Sequence, residues 1–366
     1  MRIGVDVREL QQGIKTGIGR VVEAFITETP KINPQVKLFL YADKTTRPDL
    51  QGDRVEVRTL GQPVTVWFDQ VALPMALAKD RVDVFFSPYY KAPVVAPCPS
   101  VVTIHDILFL KFGGQRIKNA LFKPWAKFIA SRVARILTDS DHSRRDLEKT
   151  LGLDSSDIEV IPLGVSPSFS PSARAGSETL AENLGFSKNY ILTITNFLAH
   201  KNNECLVRAF AELAPEEPDL TLVLAGRSAA PTRDLKALVE RLGIGGRVSM
   251  PGLIADEDLP LLYAGARVFA FPSLYEGFGL PVLEAFASGV PVACSSATSL
   301  PEVAADAALL LDPNDHSAWT EGLRRLLSDE PLREQLIEAG LARARQFSWR
   351  NSAARILSVL EKVRKK

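Results

Sequence analysis

Two α/β domains, each built on a doubly wound parallel sheet, are what this sequence predicts. Three observations carry that expectation. Short apolar runs rich in Val, Ile and Phe alternate with longer segments of helical periodicity, the pattern of a parallel sheet covered on both faces. The alternation lapses once, between Pro162 and about Ser187, where Pro167, Pro171, Gly176 and several serines give the composition of a linker; it then restarts. Finally, 366 residues with 46% hydrophobic and 24% charged side chains suffice for two cores and fit an ordinary globular protein.

In the first half, Ile3–Val5 reads as a buried strand. A long loop then ends in Thr16-Gly17-Ile18-Gly19-Arg20, and Val21, Val22, Phe25 and Ile26 begin a helix. Val36–Tyr41 and Val55–Leu60 are further strands, and Gln70–Ala78 has helical spacing. Val82–Phe86, Ser100–Ile104, Ile136–Thr138 and Ile158–Ile161 complete the set. The second half repeats the pattern with strands Tyr190–Thr195, Leu220–Ala225, Val248–Met250, Val268–Phe271, Val290–Ala293 and Ala308–Leu311. Helices are expected over Asn203–Leu213, Arg233–Leu242, Asp256–Ala264, Ala318–Leu327, Arg333–Arg345 and Trp349–Val363. No short-period repeat is present.

Composition narrows the function classes. Lys+Arg of 44 against Asp+Glu of 43 argues against a dedicated nucleic-acid binder. Cys98, Cys205 and Cys294 are odd in number and widely spaced, so neither a disulfide framework nor a zinc site follows, and a reducing cytoplasm is expected. The first residues lack the apolar core of a signal peptide, and no apolar run reaches the ~20 residues of a spanning helix.

The most informative stretch is Phe271–Pro291. A buried strand ends at Pro272, and Pro281 suits the first helical position because its missing N–H has no partner there anyway. Val282, Leu283, Ala285 and Phe286 give the helix an apolar face, and Gly289 stops it. Between strand and helix lie Glu276, Gly277, Phe278, Gly279 and Leu280. The glycines allow close backbone approach, and the free amides of the helix start favour an anion. Two carboxylates, Glu276 and Glu284, flank this phosphate seat. Acids beside an anion site make sense when the ligand also carries hydroxyls, as a nucleotide sugar does on both sides of its diphosphate.

Glu276 to Glu284, with seven residues between, resembles the Glu-x7-Glu motif of retaining glycosyltransferases of family 4, and the likeness extends over nearly the whole chain. The resemblance implies the GT-B fold: two Rossmann-like domains facing across a cleft, residues 1–166 on the acceptor side and 167–348 binding the nucleotide sugar, with 349–366 crossing back to the first domain. It implies that Glu276 holds the transferred sugar, Glu284 the ribose, and backbone groups near Leu253 the nucleobase. Lys201 matches a family lysine that neutralises the diphosphate. Relatives usually carry Gly and Arg where Thr195 and Asn196 stand, and Arg in place of His200. Three explanations stay open: His200 is protonated when the diphosphate binds, Arg227 contributes, or donor affinity is low. The Gly17-Ile18-Gly19 loop is expected near the diphosphate or the acceptor, and His105, at a strand's carboxyl end, near the donor sugar with Asp106 orienting its loop.

One further stretch stands out. No acid falls between Asp106 and Asp139, whereas Lys111, Arg116, Lys118, Lys123, Lys127, Arg132 and Arg135 do, interleaved with Phe109, Phe112, Phe122, Trp125 and Phe128. Ile117, Leu121, Trp125 and Phe128 recur at helical spacing, so 109–135 is expected to meet an anionic membrane surface at the inner face of the membrane.

The expected function is therefore transfer of a hexose, with retention, from a nucleotide-diphosphate sugar to a glycan or lipid-linked hydroxyl. GDP-mannose is the first donor and UDP-hexoses the next, because Leu300–Val303 with Leu311–Pro313 resembles bacterial surface-polysaccharide mannosyltransferases. No metal or cofactor is expected, and no nucleic-acid partner. The rivals are a GT-B-fold UDP-sugar epimerase, a non-catalytic nucleotide-binding module, and an NAD-binding domain with Asp43 as the ribose acid. Val22 already breaks the dinucleotide fingerprint of the last.

Overall fold

The computed structural model describes residues 1–10, 16–46, 52–61, 64–112, 116–227 and 232–365, with the backbone alone at 116–122 and 232. The chain forms two compact units, Met1–Gly164 with Ser348–Lys366, and Val165–Phe347.

The first unit carries seven strands: β1 (Arg2–Asp6), β2 (Lys37–Ala42), β3 (Val55–Thr59), β4 (Val84–Ser87), β5 (Ser100–Thr103), β6 (Arg135–Thr138) and β7 (Ile158–Val160). They lie in the order β3-β2-β1-β4-β5-β6-β7, every pair parallel. Consecutive residues Leu38, Phe39, Leu40 and Tyr41 are all buried, as they must be when helices cover both faces. The order reverses between β1 and β4, the switch point at which such sheets open a crevice for ligands. The C-terminal helix Trp349–Arg364 belongs to this unit. Ser352 Oγ donates to the Pro162 carbonyl at 2.7 Å, and a Cβ on Gly164 would lie 2.1 Å from the Trp349 nitrogen, so only glycine lets the segments meet.

The second unit carries β8 (Tyr190–Ile194), β9 (Thr221–Ala225), β10 (Val248–Gly252), β11 (Val268–Phe271), β12 (Val292–Ser295) and β13 (Leu309–Leu311), in the parallel order β10-β9-β8-β11-β12-β13. Its switch point lies between β8 and β11. Trp319, Phe210 and Leu224 are fully buried in the core on one face of the sheet.

Three local expectations need correction. The helix expected at Gln70–Ala78 is two pieces, a π-turn at Phe68–Ala72 and an α-helix at Leu73–Lys79. The wider turn accompanies Asp69, whose Oδ1 accepts from Arg8 at 2.6 Å while the guanidinium lies 4.0 Å over the Phe68 ring. The expected loop Gly17-Ile18-Gly19 is instead the first turn of the helix Gly17–Ile32, because Thr16 caps it by accepting from the Gly19 amide at 2.9 Å. Pro281 is the second residue of its helix, which begins at Leu280. Among the described residues no helix is long and apolar enough to cross a membrane.

The basic stretch also differs from its sequence reading. Among the described side chains of the Arg116–Ala130 helix, Ala126 and Ile129 are buried, whereas Trp125 and Phe128 are 41% and 39% exposed beside Lys123 and Lys127. Two of the cations are neutralised locally, Lys111 by Asp146 at 2.6 Å and Arg135 by Asp157 at 3.1 Å. Gly113–Gln115, and the side chains of Arg116, Ile117, Lys118, Leu121 and Phe122, lie outside the described residues.

Candidate active site

In the second unit, the loops that leave β8 and β11 meet at the switch point. After β8 the chain turns through Thr195, Asn196 and Phe197, the last at φ 58°, a left-handed conformation that a bulky side chain adopts only when held there. Thr195 holds it: its hydroxyl accepts from the Phe197 amide at 3.0 Å and from Asn203 Nδ2 at 2.9 Å. Asn196 Oδ1 accepts from the Leu198 amide at 3.2 Å. Gly226, at the end of β9, explains the threonine's partner. Its φ is +144°, and a Cβ there would sit 1.7 Å from the Thr195 carbonyl oxygen. The glycine that lets two strand ends approach thus lies after β9 in this chain.

Asn202, at φ 53°, then ties this loop to those after β11 and β13, donating to the Pro272 carbonyl at 3.2 Å and the Pro313 carbonyl at 2.6 Å. The His200 carbonyl accepts from the Leu274 amide at 2.7 Å. These bonds bring Lys201 to Glu276, Nζ to Oε1 2.6 Å, with side chains 13% and 15% exposed and the ammonium 4.8 Å above the Phe271 ring. Seventy-five positions of sequence separate the two residues, and the fold pairs them.

The Glu276–Leu280 turn is pinned from β12. Thr298 Oγ1 accepts from the Glu276 amide at 3.1 Å, and Ser299 Oγ lies 3.0 Å from the Glu276 carbonyl and 2.7 Å from that of Phe278. The carbonyls are thereby turned toward Ser299, and Gly279, at φ +124°, leads into the Leu280–Ala287 helix. Among the described residues no side chain caps this helix start. Pro281 has no N–H and the Val282 amide already donates to the Gly279 carbonyl at 3.0 Å, so an anion here would meet the backbone amides of the turn that leads into the helix. Glu284 projects inward: it is 4% exposed and accepts from the Tyr263 hydroxyl at 2.8 Å. Leu253 follows Gly252 at the end of β10 and is 65% exposed; Arg227 is exposed just after Gly226.

His200 is 3% exposed, and its pKa is lowered to about 4, first by burial and then by the Lys201 charge. The shift favours the neutral ring at physiological pH, so a diphosphate would have to overcome it for protonated His200 to stand in for the missing arginine.

Gly17, Gly19 and His105 belong to the first unit. The Gly19 amide is committed to Thr16, so this turn offers one donor fewer than a glycine loop would. His105 follows β5 with Nδ1 2.6 Å from Asp139 Oδ2 and Nε2 3.1 Å from the Pro88 carbonyl. Burial lowers the His105 pKa, but the charge and hydrogen bond of Asp139 outweigh it and the net shift is upward. An imidazolium donates to both partners at once, so both ring nitrogens are occupied within the protein. The upward shift and these two partners favour the protonated ring in this position. Asp106, by contrast, accepts from the Leu108 amide at 2.8 Å and shapes the following turn. Asp43, the acid that the NAD reading needs for a ribose, accepts at Oδ1 from the backbone and hydroxyls of Thr45 and Thr46.

Two kinds of residue escaped the sequence reading. Asp139 was passed over although it sits at a strand's carboxyl end. Thr298 and Ser299 carry a weaker signal, the Ser-Ser-Ala-Thr-Ser cluster after β12.

Two doubly wound parallel sheets are the architecture of the GT-B glycosyltransferase fold. Anabaena Alr3699/HepE, solved in complex with UDP and glucose, superposes with a TM-score of 0.79 at 20% identity, over 99% of this chain and 100% of that one. Residues 178–343 match the profile described as glycosyl transferases group 1, and residues 15–169 match glycosyltransferase family 4. The chain is 31% identical over 290 residues to a D-inositol 3-phosphate glycosyltransferase of Xylanimonas cellulosilytica, 73% of this chain and 67% of the relative. It is 39% identical over 226 residues to the O-antigen chain mannosyltransferase B of Escherichia coli, 61% of this chain but only 59% of that protein's length. The chain belongs to the family 4, group 1 glycosyltransferases.

Proposed function

We propose that this chain transfers a hexose from a nucleotide-diphosphate sugar to a hydroxyl of a glycan or lipid-linked acceptor, with retention at the anomeric carbon. The observation that carries the reading is the Lys201–Glu276 pair at the β8/β11 switch point, beside an uncapped helix start. A cation and backbone amides suit a departing diphosphate, whose charge grows as the bond to the sugar breaks. A carboxylate suits the sugar hydroxyls. In this reading Glu284, fixed by Tyr263, serves the ribose, and backbone near Leu253 reads the base. The bond from anomeric carbon to phosphate oxygen breaks, the acceptor oxygen bonds on the same face, and its proton passes to the leaving phosphate. The reading calls for no metal or cofactor.

GDP-mannose is the favoured donor, supported by the likeness to a mannosyltransferase of O-antigen chains; UDP-hexoses come next, since Alr3699/HepE was solved with UDP and glucose. A setting at the inner face of an anionic membrane belongs to the same proposal, with exposed Trp125 and Phe128 among Lys123, Lys127 and Arg132 as the surface that would meet it.

A thermal-shift panel of GDP, UDP, ADP and dTDP, followed by donor turnover with and without glycan acceptors, tests the proposal. GDP or UDP should raise the melting temperature, because a ligand that binds only the folded state stabilises it by mass action. Absence of a shift with every nucleotide, and with GDP-mannose and UDP-glucose as well, would refute the reading. Binding without acceptor-dependent transfer would favour the nucleotide-binding module, and release of UDP without an acceptor the epimerase.

A further inference from the structure

Lys201 and Glu276 form a short, largely buried ion pair, and neither arrives there by loop drift. The backbone at Glu276 is held by Thr298 and Ser299, and the Lys201 turn is held by Leu274 and Asn202. A diphosphate that claims Lys201 must therefore take it from Glu276. What happens to Glu276 depends on the rest of the ligand. A bare nucleoside diphosphate brings more negative charge and no hydroxyl near the carboxylate. Glu276 is then left mostly buried, without its cation and beside a like charge, the costly way to break a buried pair. A nucleotide sugar instead delivers hydroxyl donors to the same carboxylate, and its esterified terminal phosphate carries less charge.

From this geometry we infer that Glu276 is a specificity-determining residue: its ion pair with Lys201 makes the site discriminate against bare nucleoside diphosphate and yield the cation only to a sugar-bearing one. The inference rests on the nucleotide-sugar reading above and adds selection between substrate and spent product within one site. Once the sugar has left, Glu276 reclaims Lys201 and helps expel the diphosphate.

The test is isothermal titration of the whole chain, wild type and Glu276→Gln, with GDP, GDP-mannose, UDP and UDP-glucose. Gln keeps the size but has neither the charge nor the hold on Lys201. For the nucleotide pair that binds, the diphosphate should bind Glu276→Gln about tenfold or more tightly than wild type, and the nucleotide sugar more weakly, so the two affinities move in opposite directions. Glu276→Ala should repeat the gain for the diphosphate, and ligand-free melting curves of both variants establish that they are folded. A diphosphate affinity that is unchanged or reduced in both folded variants, with donor still bound by wild type, overturns this inference alone. No nucleotide bound by wild type overturns the nucleotide-sugar reading and this inference with it.

Discussion

His200 offers the sharpest check on the electrostatics of the candidate site. A pKa lowered to about 4 means that placing a proton on the buried ring at pH 7 costs about 4 kcal/mol, three pH units at 1.36 kcal/mol each. A neighbouring diphosphate would have to supply all of that before His200 could act as a cation. The same shift predicts a stability term of definite sign. The folded-state value lies below the ordinary 6.5, so the unfolded chain binds more protons between the two, and stability falls as pH is lowered through that window. Integrating from pH 7.5 to 5.0 gives a loss of about 2 kcal/mol attributable to this side chain. The chain has only four histidines, so selective 13C labelling at the imidazole resolves them, and single His→Gln variants assign them. The His200 resonance should stay in its neutral position down to about pH 5, whereas that of His105, raised by Asp139, should titrate above 6.5. Wild type should also lose about 2 kcal/mol more than His200→Gln over that range. A His200 midpoint at or above 6.5, or parallel pH profiles for the two proteins, would refute the reasoning.

Two other perturbations probe the scaffold and the surface. Gly226→Ala forces a left-handed backbone and a Cβ 1.7 Å from the Thr195 carbonyl, whereas Gly243→Ala, at φ +70° in open space, adds only backbone strain. The first should cost upward of ~3 kcal/mol and the second about 1 kcal/mol, read as melting temperatures, and equal losses would contradict the close approach of the two strand ends. Charge reversal of Lys123 and Lys127 together should abolish co-sedimentation with vesicles containing anionic lipid while leaving the melting temperature unchanged; vesicle binding indifferent to lipid charge and to these lysines would remove the membrane setting.

The strands were legible because each is a short apolar run closed by Pro, Gly or a polar pair, and a sheet covered on both faces needs little else. Periodicity was less informative where a hydrogen bond, rather than a pattern, decides the backbone. Thr16 draws Gly17 and Gly19 into a helix that their composition disguised, and the π-turn at Phe68–Ala72 follows a buried ion pair with Arg8, sixty-one residues away from Asp69. Site pairs were hidden for a different reason. His105 and Asp139 each lie two residues beyond partners in the β5/β6 register, Thr103 opposite Leu137, so their meeting needs the strand order and not merely the strands. Lys201 and Glu276 similarly meet because β8 neighbours β11. In a parallel sheet, residues that act together come from the same end of adjacent strands, and sequence supplies the ends but not the adjacency.

The departures at Asn196 and His200 also gain a physical account from that adjacency. Family resemblance led to an expectation of additional arginine charge in this loop. Yet Lys201 is already largely buried and draws its counter-charge from one carboxylate, Glu276. A second permanent cation at position 200, 3% exposed, would face that same carboxylate in competition with Lys201 and would add a buried charge for the unliganded fold to accommodate. A histidine that remains neutral avoids that cost. It also leaves a diphosphate to be met by one lysine and by the backbone amides of the turn that leads into the Leu280–Ala287 helix, donors whose dipoles need no counter-ion.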